Sequence, residues 1–440
     1  MRKILALILA LCLVMTLFAA CGDEIDNGPV TTNSPASNGD NNQQNAGTPD
    51  NQGNTDAPNT PDNTADAGTW NGYDLQFVKD NGIEYIWERL DNEMKANLAS
   101  ALDAIKRVDA FIPLEYSLDE ETNYKFMQLV LNCAMDYPYI VNQFGIYHDG
   151  DGRVISLTAN YNINVIQTEE DALALTDTLN ARLDEIVAGM PQGVSQYEQL
   201  RYLHDTLVFY SDYSDQTPLF YTAYGALVDG KATCQGYADA MHLLLSRAGF
   251  ETCFCIGIGN NIDVTHKWNY VKLDDGQWYI LDPTWADPVD KSDPAYICYD
   301  YFLVSDEELL KDHKEKYQDP FFEVPTAYSM EYSFHTVEGY ECSTYDEAVA
   351  VIEQQIRDCA AEGRHYLYLR MRDEETYNLV REDLFRANKA DGGHGEIMQL
   401  IQKVVDETGA NFNPKSWGVY ATHDESGGPL AFTITLRYTE

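Results

Sequence analysis

The sequence predicts an α+β protein in which a helix that begins with a cysteine packs against an antiparallel sheet, with mixed α/β domains on either side. Three observations lead to this prediction. A helical pattern starts at Cys234, two alternating strands meet around Gly276, and helix-like and strand-like segments are mixed before and after them. Elements of both kinds without a regular βα alternation are typical of the α+β class.

Length and charge narrow the possible functions. The chain has 440 residues, enough for two or three domains. It carries 29 Lys and Arg against 71 Asp and Glu, a formal net charge of −42. Such acidity repels nucleic acid phosphates and anionic lipid heads, so we expect no nucleic acid partner.

The first 20 residues have the pattern of a secretory signal. Arg2 and Lys3 form a charged start, an apolar run from Ile4 to Phe18 follows, and Ala19-Ala20-Cys21 supply small residues before a cysteine. The cysteine at the cut site resembles the lipobox of bacterial lipoproteins, in which the thiol is acylated. We therefore expect residues 1–20 to be a lipoprotein signal peptide. The alternative is a plain signal peptide with a chance cysteine.

Residues 21–70 predict a lipidated Cys21 followed by a disordered tether. From residue 22 on, this segment consists almost entirely of Asn, Asp, Gly, Pro, Thr, Ser, Ala and Gln. So few apolar side chains cannot offset the entropy lost on ordering. We expect the protein to lie at the extracellular face of the bacterial cell membrane, where the lipid anchor alone holds it.

Cysteine usage leaves the redox state open. Once the signal is removed and Cys21 is acylated, an odd number of cysteines remains, so at least one thiol is free. The space outside the membrane permits disulfides, but the pairing cannot be read from the sequence. The remaining cysteines are Cys133, Cys234, Cys253, Cys255, Cys298, Cys342 and Cys359.

Three folded domains are expected after the tether. Residues 71–190 combine helical segments at 83–108, 122–137 and 169–188 with a strand-like alternation at 152–165. A capping box at Ser195 opens the next unit, 191–325, which contains Cys234. Residues 326–440 predict a C-terminal α/β domain and contain no recognisable chemical motif. The expected elements there are helices through Cys359, at 376–387 and at 395–408, and strands at 366–371, 416–421 and 430–438.

Cys234 is the candidate nucleophile because of its position in the helix. Thr233 is a favourable N-cap, so Cys234 becomes the first helical residue, and Gly249 ends the helix. A helix N-terminus favours the thiolate, the form of cysteine that attacks. Gly236 is expected to leave room for substrate beside the sulfur. The alternative is a buried structural cysteine, but Cys234 lies off the apolar stripe of the helix.

A hairpin supplies two partners for this thiol. The loop Asp274-Asp275-Gly276 joins two alternating strands and pairs Leu273 with Gln277. In that register Trp268 faces Asp282, so His266 and Asp282 share one face, one diagonal step apart. These residues fit the roles of a catalytic triad, in which Cys234 attacks, His266 transfers protons and Asp282 orients His266.

Other clusters fit known sites less well. Cys253 and Cys255 lack the second pair of ligands that zinc needs. Gly257 and Gly259 form no phosphate-binding fingerprint. His204 beside Asp205 is more typical of a satisfied pair, and His242 lies two turns beyond Cys234. We therefore expect neither a metal nor a cofactor.

The segment from about Tyr197 to Tyr301 resembles the bacterial branch of the transglutaminase-like superfamily. The resemblance implies a papain-like Cys-His-Asp triad on an α+β core, with the backbone N–H of Cys234 and a second donor, for which Tyr224 is a candidate, forming the oxyanion hole. Gln235 stands where animal transglutaminases have tryptophan, and no animal-type calcium sites are evident. The matching motifs are Tyr224-Gly-Ala-Leu-Val-Asp-Gly-Lys-Ala-Thr-Cys234-Gln-Gly-Tyr-Ala, His266-Lys-Trp-Asn and Trp278-Tyr-Ile-Leu-Asp282-Pro-Thr-Trp285.

These features together predict a surface lipoprotein with a cysteine acyl-transfer site. The expected substrate is a protein or peptide, for example a surface protein or a cell-wall peptide, whose amide bond is hydrolysed through a thioester. Two alternatives remain open at the level of sequence. One is protein cross-linking by true transglutaminase action, and the other is a binding or scaffold protein that uses the same cleft without catalysis.

Overall fold

The computed structural model describes residues 68–162, 165–259, 264–287, 296–386, 395–423 and 427–439. The predicted signal peptide, Cys21 and the tether as far as residue 67 lie outside the described residues. Thr69 and Trp70, at the end of the predicted tether, already form a strand. Among the helices of the described ranges, none has both the length and the apolar character that crossing a bilayer requires.

The first part of the chain packs helices against a small antiparallel sheet in the strand order β3-β5-β4. The single helix predicted for 83–108 is two helices, because the side chain of Asp91 accepts a hydrogen bond from the Met94 N–H and starts a new one. The elements are β1 (Thr69–Trp70), β2 (Tyr73–Asp74), α1 (Gln76–Asp80), α2 (Glu84–Arg89), α3 (Asn92–Lys106), β3 (Phe111–Leu118), α4 (Glu120–Cys133), β4 (Ile140–His148) and β5 (Val154–Tyr161).

Two capped helices lead to the cysteine. Helix α5 (Glu169–Ala188) and helix α6 (Gln196–Tyr210) both begin with capping boxes, and the one predicted at Ser195 is confirmed. The chain then forms two short paired strands around a π-helical turn. These elements are β6 (Asp212–Tyr213), the π-helical turn (Gly225–Asp229) and β7 (Lys231–Ala232).

A five-stranded antiparallel sheet in the order β11-β10-β9-β8-β12 stands behind the helix that begins at the cysteine. The α+β class predicted from the sequence is confirmed. The predicted end of the cysteine helix is also confirmed, since Gly249 has φ +88° and its N–H bonds to Ser246 O. The elements are α7 (Cys234–Arg247), β8 (Glu251–Gly259), β9 (Val264–Lys272), β10 (Trp278–Leu281), α8 (Pro283–Ala286), β11 (Phe302–Val304), α9 (Asp306–Leu309) and β12 (His313–Lys316).

The C-terminal part has its own four-stranded sheet, in the order β13-β14-β16-β15. The strand predicted at 366–371 is observed with those bounds. The helix predicted for 376–387 starts two residues earlier and continues as a π-helical turn. The elements are α10 (Phe334–Val337), β13 (Glu341–Cys342), α11 (Tyr345–Glu362), β14 (Tyr366–Met371), α12 (Glu374–Leu379), the π-helical turn (Val380–Phe385), α13 (Ile397–Thr408), β15 (Phe412–Ala421) and β16 (Ala431–Tyr438).

Buried apolar side chains form two clusters. The larger one runs from Phe77 to Tyr368 and joins the N-terminal helices to the five-stranded sheet. The smaller one runs from Cys342 to Leu436 and lies within the C-terminal part. The boundaries expected at residues 190 and 325 remain predictions.

A buried ion pair fixes the cysteine helix to the sheet. Lys267 Nζ in β9 lies 2.5 Å from Asp239 Oδ1 in α7, and it also donates to Asn132 Oδ1 at 3.0 Å. Both charged side chains are at most 5% exposed. Removing one partner of such a pair leaves the other as an uncompensated buried charge.

We expect Asp239→Leu to lower the free energy of unfolding by about 3–5 kcal/mol, because Lys267 stays buried without its partner. The combined variant Asp239→Leu, Lys267→Met should recover most of that loss. Urea unfolding followed by circular dichroism measures both. The exposed pair of Lys272 and Glu251 is the control, since Glu251→Ala should cost less than about 1 kcal/mol. Equal losses in the single and double variants would contradict the expectation.

Candidate active site

Cys234 is the first residue of α7, as predicted. Thr233 occupies the N-cap position in extended conformation, although its side chain makes no capping hydrogen bond. The N–H groups of the first helical turn have no partners within the helix, and this end of a helix favours a negative charge such as a thiolate. Cys234 is partly exposed, whereas the other cysteines of the described residues are all buried, and all of them are free thiols. The accessible thiol is therefore the one at the helix start.

The expectation for Gly236 is wrong. A Cβ atom at this position would lie 2.7 Å from Thr222 O and 2.9 Å from Phe220 O. The glycine therefore lets the backbone of the preceding loop pack against α7, and it leaves no open space for substrate. It helps the site indirectly, since the same loop accepts the Thr233 N–H at Phe220 O and fixes the start of the helix.

His266 and Asp282 meet through the predicted hairpin register. Leu273 N–H bonds to Gln277 O at 3.1 Å, and β9 pairs with β10 from Lys272 opposite Trp278 to Asn269 opposite Leu281. Asp282 follows directly after β10, and its Oδ2 lies 2.6 Å from His266 Nε2. Both side chains are buried.

The Cys234 side chain also contributes to the pKa of His266, by hydrogen bonding and by its charge. Because Nε2 faces Asp282, the nitrogen left for the thiol is Nδ1. Burial lowers the pKa of His266, but the charge and hydrogen bond of Asp282, together with Cys234, outweigh burial and raise this pKa to about 10. A residue in this state holds a proton that it can donate.

The raised pKa links the site to folding. Unfolded histidine has a pKa of about 6.5, so the folded protein binds this proton more tightly than the unfolded chain. The resulting contribution to stability is complete below about pH 6.5 and is lost as the pH rises through about 10.

The carboxylate of Asp282 accepts four hydrogen bonds. Oδ2 accepts hydrogen bonds from His266 and, at 3.1 Å, from His313 Nε2. Oδ1 accepts the N–H groups of Thr284 and Trp285, both at 3.1 Å, and so caps α8. Burial alone would raise the pKa of Asp282, but the two imidazoles outweigh burial and lower it. The carboxylate is thus held ionised in the interior.

Sequence reasoning missed His313. It is fully buried at the start of β12, opposite Gly259 of β8, and reaches Asp282 from the far edge of the sheet. No spacing motif indicates this contact, since 31 residues separate His313 from Asp282. Only the order of the strands brings the two together.

Gly259 leaves space for the side chains that pack around Asp282. A Cβ atom there would lie 3.1 Å from His266 Cβ and 3.4 Å from the Trp285 ring. The glycine that matched no phosphate-binding motif therefore provides the space in which these rings pack.

Tyr224 stays a prediction as the second oxyanion donor. It lies just before the π-helical turn with its ring against the main core. Burial, followed by the charge of Asp229, raises the pKa of its phenol. Within the described residues, its hydroxyl makes no hydrogen bond with Cys234.

The alternative histidines have structural partners. His204 is buried and its Nδ1 lies 3.1 Å from Asp205 Oδ1. The Nε2 of His242 lies 2.8 Å from Gly82 O, and burial lowers the pKa of His242 to about 3. Neither imidazole is placed to assist Cys234.

One group of side chains within the described ranges is close enough to hold a metal ion, namely His266, Asp282 and His313. Their facing atoms are joined to one another by the hydrogen bonds at 2.6 and 3.1 Å. These bonds account for the arrangement, and a cation would have to displace both of them.

A small surface depression adjoins the start of α7. Leu131, Met135 and Pro138 form an apolar wall, and Gln235 and Asp239 form a polar one. Gln235 follows Cys234 in the chain, but the thiol itself does not line this depression.

Comparison with known proteins agrees with this geometry. Residues 184–283 match the family model of the transglutaminase-like superfamily, and the match includes Cys234, His266 and Asp282. This segment of the chain is therefore a transglutaminase-like domain, as the sequence motifs predicted. The match supports the coarse class of a cysteine enzyme of the acyl-transfer type. No curated protein sequence matches the chain.

Several solved structures are similar in part. A TGase crystal structure shares 15% identity over 41% of this chain and 52% of its own, with a TM-score of 0.24. A putative cysteine protease from Cytophaga hutchinsonii shares 15% identity over 34% of this chain and 63% of its own, with a TM-score of 0.22. The periplasmic domain of TgpA from Pseudomonas aeruginosa shares 17% identity over 30% and 56%, with a TM-score of 0.21. The chain thus spans about half to two thirds of each of these structures.

The raised pKa of His266 can be tested directly. We expect ¹⁵N NMR of histidine-labelled protein to show His266 as an imidazolium until the pH approaches about 10. In Asp282→Asn the carboxylate charge is lost while burial remains, so His266 should be neutral by about pH 8. His266→Gln identifies the resonances. Loss of the His266 proton near about pH 6.5 in the wild-type protein would contradict the expectation.

Proposed function

We propose that the protein is a surface-anchored cysteine hydrolase that cleaves peptide or amide bonds through a thioester on Cys234. The proposal rests above all on one observation, the buried 2.6 Å contact of His266 with Asp282, and Cys234 contributes to the raised pKa of the same imidazole. The partly exposed thiol and the match of residues 184–283 to the transglutaminase-like superfamily support it.

Each residue has one chemical task. The Cys234 thiolate attacks the carbonyl carbon, and backbone N–H groups at the start of α7 stabilise the oxyanion. The His266 imidazolium then gives its proton to the leaving amine as the C–N bond breaks and the thioester forms. Water attacks the thioester while His266 takes one of its protons, and the C–S bond breaks, which releases the acid and restores the Cys234 thiolate beside the His266 imidazolium. Asp282 keeps the His266 ring in one orientation throughout.

Hydrolysis is favoured over transfer because solvent reaches the nucleophile. Cys234 is partly exposed. A thioester formed here meets water unless an amine substrate covers the site.

The location of the enzyme is part of the proposal. The charged start, the apolar run and Cys21 support export and lipid attachment, and the polar segment after Cys21 supports a tether. Substrates would then be proteins or peptides of the cell surface, reached without contact between the acidic domain and anionic lipids.

Activity is tested by incubating the protein with casein and a labelled primary amine. We expect casein fragments without incorporated amine, and a loss of about 1000-fold or more in Cys234→Ala. Electrophoresis and the label distinguish the products. Cys359→Ala is the matched control, because it removes a buried thiol far from the site and should keep the activity.

Two results would change the assignment. Incorporation of the amine into intact casein would identify a transferase. Neither product, combined with ordinary slow alkylation of Cys234 at about pH 6, would exclude both enzymatic activities and favour the scaffold alternative.

The anchor is tested in a bacterial host fed with labelled palmitate. We expect the wild-type protein to carry label in the membrane fraction, since acyl chains hold it there, and Cys21→Ala to lose the label. Cys12→Ala is the matched control, because Cys12 lies within the segment that should be removed. Labelled Cys21→Ala protein would refute lipidation at this residue.

A further inference from the structure

His313 has a carboxylate at each ring nitrogen. Its Nε2 lies 3.1 Å from Asp282 Oδ2, and its Nδ1 lies 2.9 Å from Asp312 Oδ1. The side chain is completely buried, so water does not compete for either nitrogen. An ionised carboxylate only accepts hydrogen bonds, which requires both nitrogens of His313 to carry a proton if both acids are ionised.

In their other contacts the two acids act as hydrogen-bond acceptors. Asp282 accepts from two backbone N–H groups and from His266 as well as from His313. Asp312 accepts at Oδ2 from the hydroxyl of Tyr301, and burial together with the charge of Asp312 raises the pKa of that phenol. The phenol therefore remains the donor and Asp312 the acceptor.

The ring environment of His313 also suits a cation. The Trp285 ring centroid lies 4.1 Å from that of His313, at an interplanar angle of 41°. Aromatic faces attract a desolvated cation. The groups that face His313 are Asp282, Asp312, Trp268, Trp285, Tyr301 and the imidazole of His266, whose ring centroid is 5.4 Å from that of His313.

We propose that His313 is a positioning residue of the triad, present as an imidazolium that holds Asp282 between two imidazoles. This inference rests on the proposed function, because it concerns the activation of Cys234. With two donors on each oxygen, the Asp282 carboxylate cannot rotate, and His266 is held with Nδ1 towards the thiol. The positive charge of His313 also limits how firmly His266 holds its own proton.

Three variants separate these effects. His313→Leu removes both the donor and the charge. His313→Gln keeps an amide N–H for Asp282 but removes the charge. Asp312→Asn donates to Nδ1 instead of accepting from it, so His313 becomes neutral while its Nε2–H still reaches Asp282.

The readout is the rate at which iodoacetamide alkylates Cys234 at about pH 6, followed by mass spectrometry of the Cys234 peptide. We expect a fall of about tenfold in His313→Leu, because an Asp282 that lacks one donor can rotate and no longer holds His266 with Nδ1 towards the thiol. His313→Gln and Asp312→Asn should retain most of the rate. In both, NMR should show that His266 loses its proton at higher pH than in the wild type.

His335→Leu is the matched control, since it also removes a fully buried imidazole but one that does not touch the triad. It should lower stability and leave the alkylation rate of the folded protein unchanged. If His313 had only a structural role, His313→Leu would behave in the same way, and the inference would fail.

The outcomes also separate this inference from the proposed function. If wild-type Cys234 reacts no faster than an ordinary thiol, the proposed function fails. If it reacts fast and all three variants match it, only the role of His313 fails. Should His313→Leu not fold, ¹⁵N NMR of the wild-type protein still decides, because a His313 ring with one protonated nitrogen at neutral pH overturns the proposal.

Discussion

The carboxylate of Asp282 is the group on which the rest of the site depends. A charge in the interior is tolerated only where donors replace the lost water, and Asp282 has four. These donors come from β9, from the first turn of α8 and from β12. The same contacts that keep the carboxylate ionised therefore fasten three elements together around His266, so local folding and the chemistry of the site have a common cause.

The register of β9 determines which of its residues contact α7 and which lie near Asp282. Alternate residues of β9 have different surroundings: Lys267 and Asn269 bond to α7, whereas His266 and Trp268 pack beside His313. A slip of one residue would exchange the two sets. It would place a lysine beside Asp282 and a histidine beside Asp239, so the burial of both charged pairs selects the observed register.

The parts of the site that the sequence predicted are those that short-range rules determine. Cys234 follows an N-cap threonine, although that side chain makes no capping bond, and the pairing of His266 with Asp282 follows from a three-residue loop. Long-range packing decided the rest. The contact of His313 requires β12 to join the edge of the sheet beside β8, and the role of Gly236 depends on a loop folded back onto α7. Neither leaves a periodic signal in the sequence.

Burial by itself lowers the pKa of an imidazole and keeps it neutral, as His242 shows. Its ring is as deeply buried as that of His266, yet its partner is the carbonyl of Gly82, and burial lowers its pKa to about 3. His266 faces an ionised carboxylate and its pKa rises to about 10. A buried histidine is thus neutral when its partner is a backbone carbonyl, as for His242, and protonated when its partner is an ionised carboxylate, as for His266. The charge of Asp282 is therefore what raises the pKa of His266, and the residues that keep Asp282 ionised belong to the candidate site.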